Sequence, residues 1–116
     1  MFLLEPRITT DEIMNDIVRQ EITATADKIV VKVGTRVLTD EQGRLDSQRI
    51  ASLASQLSQL AAQSKKVVLV SSGAVAAGMN RLQLDMRPAD LAVLQAVASV
   101  GQIDLMQAYQ QQFQTH

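Results

Sequence analysis

The sequence predicts an α/β fold, and three observations carry the prediction. A β-branched run, Ile29-Val30-Val31-Lys32-Val33, stops at Gly34, and a second short apolar run, Val67-Val68-Leu69-Val70, stops at Ser71-Ser72-Gly73. Between them Ile50, Leu53, Ala54, Leu57, Leu60 and Ala61 recur at spacings of three and four, the pattern of a helix with one buried face. Strand, helix and strand at this spacing form a βαβ unit, whose strands run parallel and whose crossover is right-handed. Continuous apolar runs of this kind suit strands covered on both faces.

The other elements follow in chain order. Residues 1–27 set Glu5, Asp11, Glu12, Asp16, Glu21 and Asp27 against Arg7 and Arg19, a balance of −4 in a chain whose total is −1. Thr9 and Glu12 stand at capping-box spacing, Ile8 and Ile13 can staple the first turn, and Ile13, Ile17 and Val18 share a face. These features predict a short amphipathic helix over 10–21, within an extension (1–27) that carries no chemistry of its own, ahead of a domain at 28–116. After the first strand, Arg36–Thr39, Asp40–Gly43 and Arg44–Leu45 predict a small hairpin with Gly43 at positive φ. Asp46 or Ser47 caps the crossover helix. Beyond the second strand, Ala74–Met79 forms a short helix of small residues. Pro88, a favourable first helical residue, opens a long helix to about Gln112, with Leu91, Leu94, Ala98, Leu105 and Tyr109 along one side and a bend near Gly101.

Composition narrows the chemistry. The chain has 116 residues, 47% hydrophobic and 20% charged, enough for one real core and unlike a disordered sequence. Eleven basic against twelve acidic residues give no overall attraction to nucleic acid or to anionic membranes. No cysteine is present, which excludes disulfides, thiolate metal sites and cysteine nucleophiles. The one histidine, His116, is the last residue, so imidazole catalysis is not expected. Glu5, Pro6 and Arg7 interrupt the apolar start before signal-peptide length, and no later run reads as a membrane span. A cytoplasmic protein with no membrane or nucleic-acid partner is expected.

Ligands of open α/β sheets bind at the carboxyl ends of the strands, where helix-start amides hold anions. The chain offers two such places. At Lys32-Val33-Gly34-Thr35 a lysine stands just before a strand-ending glycine, and at Ser71-Ser72-Gly73-Ala74 a hydroxyl meets the amides of a helix start. Together they resemble a clamp for two anions, one phosphate and one carboxylate. Each residue also has a plainer reading. Lys32 can be an edge-strand lysine that deters aggregation, although burial among valines would demand a partner or ligand for its charge. Ser72 can be a helix N-cap, and capping and ligand binding can coexist. No P-loop and no dinucleotide fingerprint occurs, and the acidic residues show no metal-ligand spacing; Asp40, Glu41, Asp85 and Asp90 read as turn and cap residues.

Three blocks in order, Ile29 to Thr39, Ser71 to Gly78 and Leu94 to Gln102, closely resemble the amino acid kinase family over residues 28–116. The Gly34-Thr35-Arg36-Val37-Leu38 continuation, the Ser72-Gly73-Ala74-Val75-Ala76-Ala77-Gly78 block and the Gln95-to-Gln102 helix are most similar to the members that phosphorylate the γ-carboxylate of L-glutamate, the first step of proline biosynthesis. The resemblance implies a three-layer α/β/α sandwich, of which this chain is the N-terminal part, and the substrates L-glutamate and ATP with Mg²⁺. By the same resemblance Lys32 is the catalytic lysine that contacts ATP phosphate, with Gly34 and Thr35 beside it, and Ser72, Gly73 and Ala74 bind glutamate. The family's later acidic and asparagine contacts, its second lysine and most of its nucleotide lobe have no counterpart here, so a truncated kinase, inactive alone, is expected. Alternatives are a family member with another acceptor, and a non-catalytic module that pairs through the long helix. Either way the chain is expected to self-associate.

Overall fold

The computed structural model describes residues 10–116. In order they form α1 (Thr10–Thr25), β1 (Lys28–Val33), α2 (Thr35–Leu38), α3 (Ser47–Ala62), β2 (Lys66–Ser71), α4 (Ala74–Arg81) and α5 (Leu91–Phe113). β1 and β2 pair in parallel, from Lys28 opposite Lys66 to Val33 opposite Ser71. This is the βαβ unit that the two apolar runs predict, with α3 as the crossover.

One face of the sheet builds the core. Val33, Leu38, Ile50, Leu105 and Tyr109 form a buried cluster, against which Val31, Leu69, Leu53 and Ala108 pack. The cluster joins β1, α2, α3 and α5, so three helices share the inner face. The other face is bare: Val30 is 68% exposed and Val68 55%, with Val70 also exposed. The expectation of two-sided burial is therefore corrected. With α2, α3 and α5 packed on one side of the two strands, alternate residues are left uncovered, because successive side chains point to opposite faces.

Local capping decides the helix starts. Asp46 caps α3, its Oδ1 accepting from the N–H groups of Gln48 (2.9 Å) and Arg49 (3.2 Å). Asp90 caps α5, accepting from Val93 N–H at 3.0 Å, so the helix begins after Pro88 rather than at it. The predicted hairpin contracts to one antiparallel bridge, Thr39 to Leu45, because Thr35–Leu38 winds into a helical turn and buries Leu38. Gly43 takes φ +75°, as the turn requires. Asp40 closes that loop, its carboxylate accepting from Gln42 N–H, Arg44 N–H and Arg44 Nε. The Arg44 backbone N–H foremost, then the Arg44 side chain and Gln42, hold the Asp40 carboxyl below its usual range.

α1 runs to Thr25, four residues beyond the predicted end. The proposed cap and staple involve Ile8 and Thr9, which lie outside the described residues, as does the Glu12 side chain. The helix turns Asp16, Arg19, Gln20 and Thr23 toward α3 across a cleft of about 500 Å³. Its apolar face, Ile13, Met14, Ile17, Val18 and Ile22, points to solvent. Lys65 pins the end of the helix, its ammonium donating to the carbonyls of Thr23, Ala24 and Ala26 at 2.8 to 3.0 Å.

α5 is 23 residues long and apolar enough on average to meet the composition of a membrane span, which the sequence reading did not anticipate. In this fold one side of it packs on α3 and α4 through Val97, Gly101, Leu105 and Tyr109. This line repeats every four residues. It contains Leu105 and Tyr109 as predicted, but Leu91 is exposed, and Val97 and Gly101 take the central places. Asp104 on its flank meets Arg81 of α4 at 3.4 Å.

Two glycines set how closely α4 and α5 approach. A Cβ added at Gly101 would lie within 3.0 Å of the Ala74 carbonyl oxygen and of the Gly78 backbone. One added at Gly78 would strike the Val97 carbonyl. Backbone cannot yield as a side-chain tip does, so the contact needs hydrogen at both positions. In a free helix, Gly101→Ala would stabilise by about 1 kcal/mol. Here it is expected to destabilise by about 3 kcal/mol, through overpacking of backbone against backbone. Thermal unfolding of the variant checks this, and a raised melting temperature would contradict the close packing.

Candidate functional site

The parallel register brings the two sequence-predicted places together. Val33 pairs with Ser71, and the Ser72 N–H donates to the Val33 carbonyl at 2.9 Å, so the pairing continues one residue past the strands. Gly34 therefore stands beside Ser72. Alternation along the strands puts Lys32 and Ser72 on the same face, the open one that also carries Val30, Val68 and Val70. Lys32 is exposed and forms no hydrogen bond or ion pair among the described residues. Its charge is solvated, which corrects the expectation of burial among valines, and desolvation does not force a ligand on it. It is an exposed cation at the carboxyl end of a strand, beside a hydroxyl.

Ser72 is not the N-cap of α4. Gly73 holds that position with φ +115°, and no side chain caps the helix. That φ is strained for any residue with a Cβ. The exposed Ser72 hydroxyl has no partner among the described residues, so capping does not occupy it. Below the turn, Leu38 and Leu105 are the nearest side chains to the Cβ position of Gly73, at 3.7 and 4.0 Å. Ala74 follows as the first residue of an eight-residue helix, whose first intrahelical bond from the cap is Ala77 N–H to the Gly73 carbonyl, 2.9 Å.

On the β1 side, Gly34 has ordinary extended geometry (φ −79°). No atom lies within 4 Å of where its Cβ would be, so the space beside it is open. Thr35 begins α2, and its carbonyl accepts from the Thr39 hydroxyl at 3.1 Å. Arg49 of α3 braces the same stretch, donating to the Arg36 and Thr39 carbonyls at 3.1 and 2.8 Å.

The residues that support this edge were not singled out from sequence. Ser71, on the covered face, lies 2.7 Å from the Tyr109 hydroxyl. The legible signal was the Ser71-Ser72 doublet itself: in a strand, neighbours face opposite ways, so one of the two had to point inward. Periodicity places Tyr109 on the packed side of α5, and only the fold supplies Ser71 as the partner of its hydroxyl.

An exposed ammonium, open backbone at Gly34 and an unengaged hydroxyl fit anionic oxygens, and phosphate is one such group. No group of three or more metal-ligating side chains occurs among the described residues. The described residues thus do not supply a Mg²⁺ ligand set. Two clefts, the one beside α1 and one of about 370 Å³ between Gln42–Arg44 and the end of α4, lie away from Lys32 and Ser72. The strand ends form an open shelf outside both clefts.

The amino acid kinase family profile matches residues 27–116. A glutamate 5-kinase of Rhodopirellula baltica is 48% identical over 101 residues, covering 86% of this chain and 26% of that protein. Glutamate 5-kinases of Marinomonas sp. and Nitrosomonas eutropha are 45% and 52% identical, over 84% and 78% of this chain and 26% and 24% of their own lengths. The chain spans about a quarter of the length of these relatives. With a family match over most of its length and a parallel βαβ unit, this chain belongs to the amino acid kinase family.

Proposed function

We propose that residues 28–116 form the glutamate-binding part of an enzyme that moves the γ-phosphoryl group of ATP to the γ-carboxylate of L-glutamate, and that residues 1–27 are an extension of it. The observation that carries this reading is the register that sets Lys32 and Ser72 on one face at adjacent strand ends. The names of the similar kinases support the choice of glutamate.

A carboxylate is ionised at neutral pH, so the acceptor needs no base to activate it. The work is alignment and neutralisation of charge, which agrees with a chain whose one histidine is its last residue. ATP supplies the phosphoryl group when bound. The Lys32 ammonium, reaching from the open face, neutralises charge on the phosphate oxygens. Gly34, with no side chain in the way, and Thr35 line the same edge. The Ser72 hydroxyl donates to a glutamate carboxylate, and Gly73 and Ala74 bring the start of α4 to the same point, where helix amides favour negative charge. Mg²⁺ belongs to this reading as a metal held by residues other than those described, and the cytoplasm as its location.

The two side chains should fail differently. In the longest polypeptide encoded by the reading frame that contains this chain, Lys32→Ala is expected to lower kcat about a hundredfold, close to 3 kcal/mol of lost electrostatic stabilisation. Glutamate-dependent ATP turnover with hydroxylamine trapping measures it. If the variant kept its turnover and lost only melting temperature, Lys32 would be a solubility residue of the sheet. Ser72→Ala is expected to raise the KM for glutamate about tenfold with a smaller change in kcat, because the hydroxyl holds substrate in ground and transition states alike. Turnover with another acceptor in place of glutamate would redirect the assignment within the family.

A second reading, self-association, rests on surface. The accessible area is 9203 Å², against about 6,200 Å² for a closed monomer of this mass. The radius of gyration is 18.5 Å, against about 13 Å for a compact domain of this length. The valine face of the sheet and the outer face of α1 account for part of that excess. The isolated chain is expected to self-associate at tens of micromolar, about the range where exposed edges aggregate. A stable, dispersed monomer in sedimentation velocity would remove this reading.

A further inference from the structure

We propose that Tyr109 is a positioning residue for the candidate site: its hydroxyl, acting through Ser71, holds the turn that presents Ser72 and Gly73. The proposal rests on the reading of Ser72 as the glutamate-contacting hydroxyl.

Tyr109 lies on α5, far along the chain from the turn, and is 6% exposed. Its ring stacks on Phe113 with centroids 6.3 Å apart and belongs to the central apolar cluster. A phenylalanine would supply that packing equally well. What the hydroxyl adds is the 2.7 Å bond to Ser71 Oγ. Ser71 Oγ in turn lies 2.9 Å from the Ser72 carbonyl oxygen, where only the serine can donate. Ser71 has one hydroxyl hydrogen, so Tyr109 must be the donor in the first bond. The result is a directed chain: Tyr109 O–H to Ser71 Oγ, then Ser71 O–H to the carbonyl of Ser72.

That carbonyl belongs to the peptide that leads into Gly73, whose φ of +115° is uncommon. The turn is thus gripped from three sides. The Ser72 N–H bonds to Val33 across the sheet, the Ser72 carbonyl receives the Ser71 hydroxyl, and Leu105, one helical turn before Tyr109, lies under Gly73. None of these contacts uses the Ser72 side chain. The chain of hydroxyls fixes the peptide and leaves Ser72 Oγ for a ligand on the open face.

The test uses amide hydrogen exchange, localised to single amides by mass spectrometry, and titration with L-glutamate, both on the 116-residue chain at about one micromolar, below the range where it is expected to self-associate. Tyr109→Phe and Ser71→Ala are each expected to speed exchange of the Ser72 amide about fivefold, the size of one lost hydrogen bond. The Ile50 amide, bonded to the Asp46 carbonyl at 3.1 Å on α3, should keep its rate. Both variants should weaken glutamate binding about fivefold. Ser71→Thr, which keeps the hydroxyl on a β-branched residue suited to a strand, should retain wild-type exchange and binding. Unchanged exchange at Ser72 in both variants would overturn the proposal. So would equal acceleration at Ser72 and Ile50, which would reduce Tyr109 to a general stabiliser. If Tyr109→Phe fails to fold, Ser71→Ala and Ser71→Thr decide the question by themselves. A turn that loosens as expected in a chain whose wild type shows no shift with glutamate would sustain the positioning role and remove the glutamate reading of Ser72.

Discussion

The bond from the Ser72 N–H to the Val33 carbonyl is the constraint on which the rest of the site depends. It extends the parallel register by one residue and turns two separate strand ends into one edge. Shift that register by one residue and every side chain of β2 changes face. Ser72 would then point into the core and Ser71 into solvent, and Lys32 would lose its neighbour. The positive charge and the hydroxyl share a face only because six consecutive pairs, Lys28 with Lys66 through Val33 with Ser71, are held in step.

The register is itself held from below. Leu38, Ile50, Leu105 and Tyr109 fill the space under the ends of the strands, so α2, α3 and α5 all bear on the same point. α5 can reach it because Gly78 and Gly101 let α4 and α5 meet with backbone in contact. Small residues in α4, which carry little chemistry, thereby act on the site through distance. They set how near α5 comes, and so whether the Tyr109 hydroxyl can reach Ser71 at 2.7 Å. Arg49 does related work at the other side of the edge, tying α3 to the carbonyls of Arg36 and Thr39.

The outer face has the opposite character. Lys28, Lys32 and Lys66 border Val30, Val68 and Val70, and all six are exposed. An apolar strip edged with ammonium groups is a surface on which a further layer can rest while an anion is held at its end. A three-layer sandwich, as the family resemblance implies, would place helices there. The area in excess of a closed monomer and the outward apolar face of α1 agree with a body that is covered on one side only.

Much of this was legible in the sequence because it depends on short-range chemistry. The β-branched runs, the 3–4 spacing from Ile50 to Ala61 and the positive φ at Gly43 are set by neighbours a few residues apart, and each stands where the sequence predicts it; of the two caps it allows, Asp46 and Ser47, Asp46 is the one used. The candidate residues Lys32, Gly34, Thr35, Ser72, Gly73 and Ala74 were legible as two motifs after two strands. Their meeting at one edge follows from a parallel pairing of the two strands. The solvation of Lys32 was not legible, since burial of a strand is decided by which layers cover it and an apolar run looks the same with one layer or two. The helical turn at Thr35–Leu38 depended on a core into which Leu38 could fall. The buried line of α5 passes through Val97 and Gly101 because of α4, whose backbone the periodicity of α5 does not contain. The sequence by itself determined the elements and the chemistry they carry. Only the tertiary structure decided which faces are covered, which serine points inward and what Tyr109 touches, because these depend on contacts between residues that stand far apart in the chain.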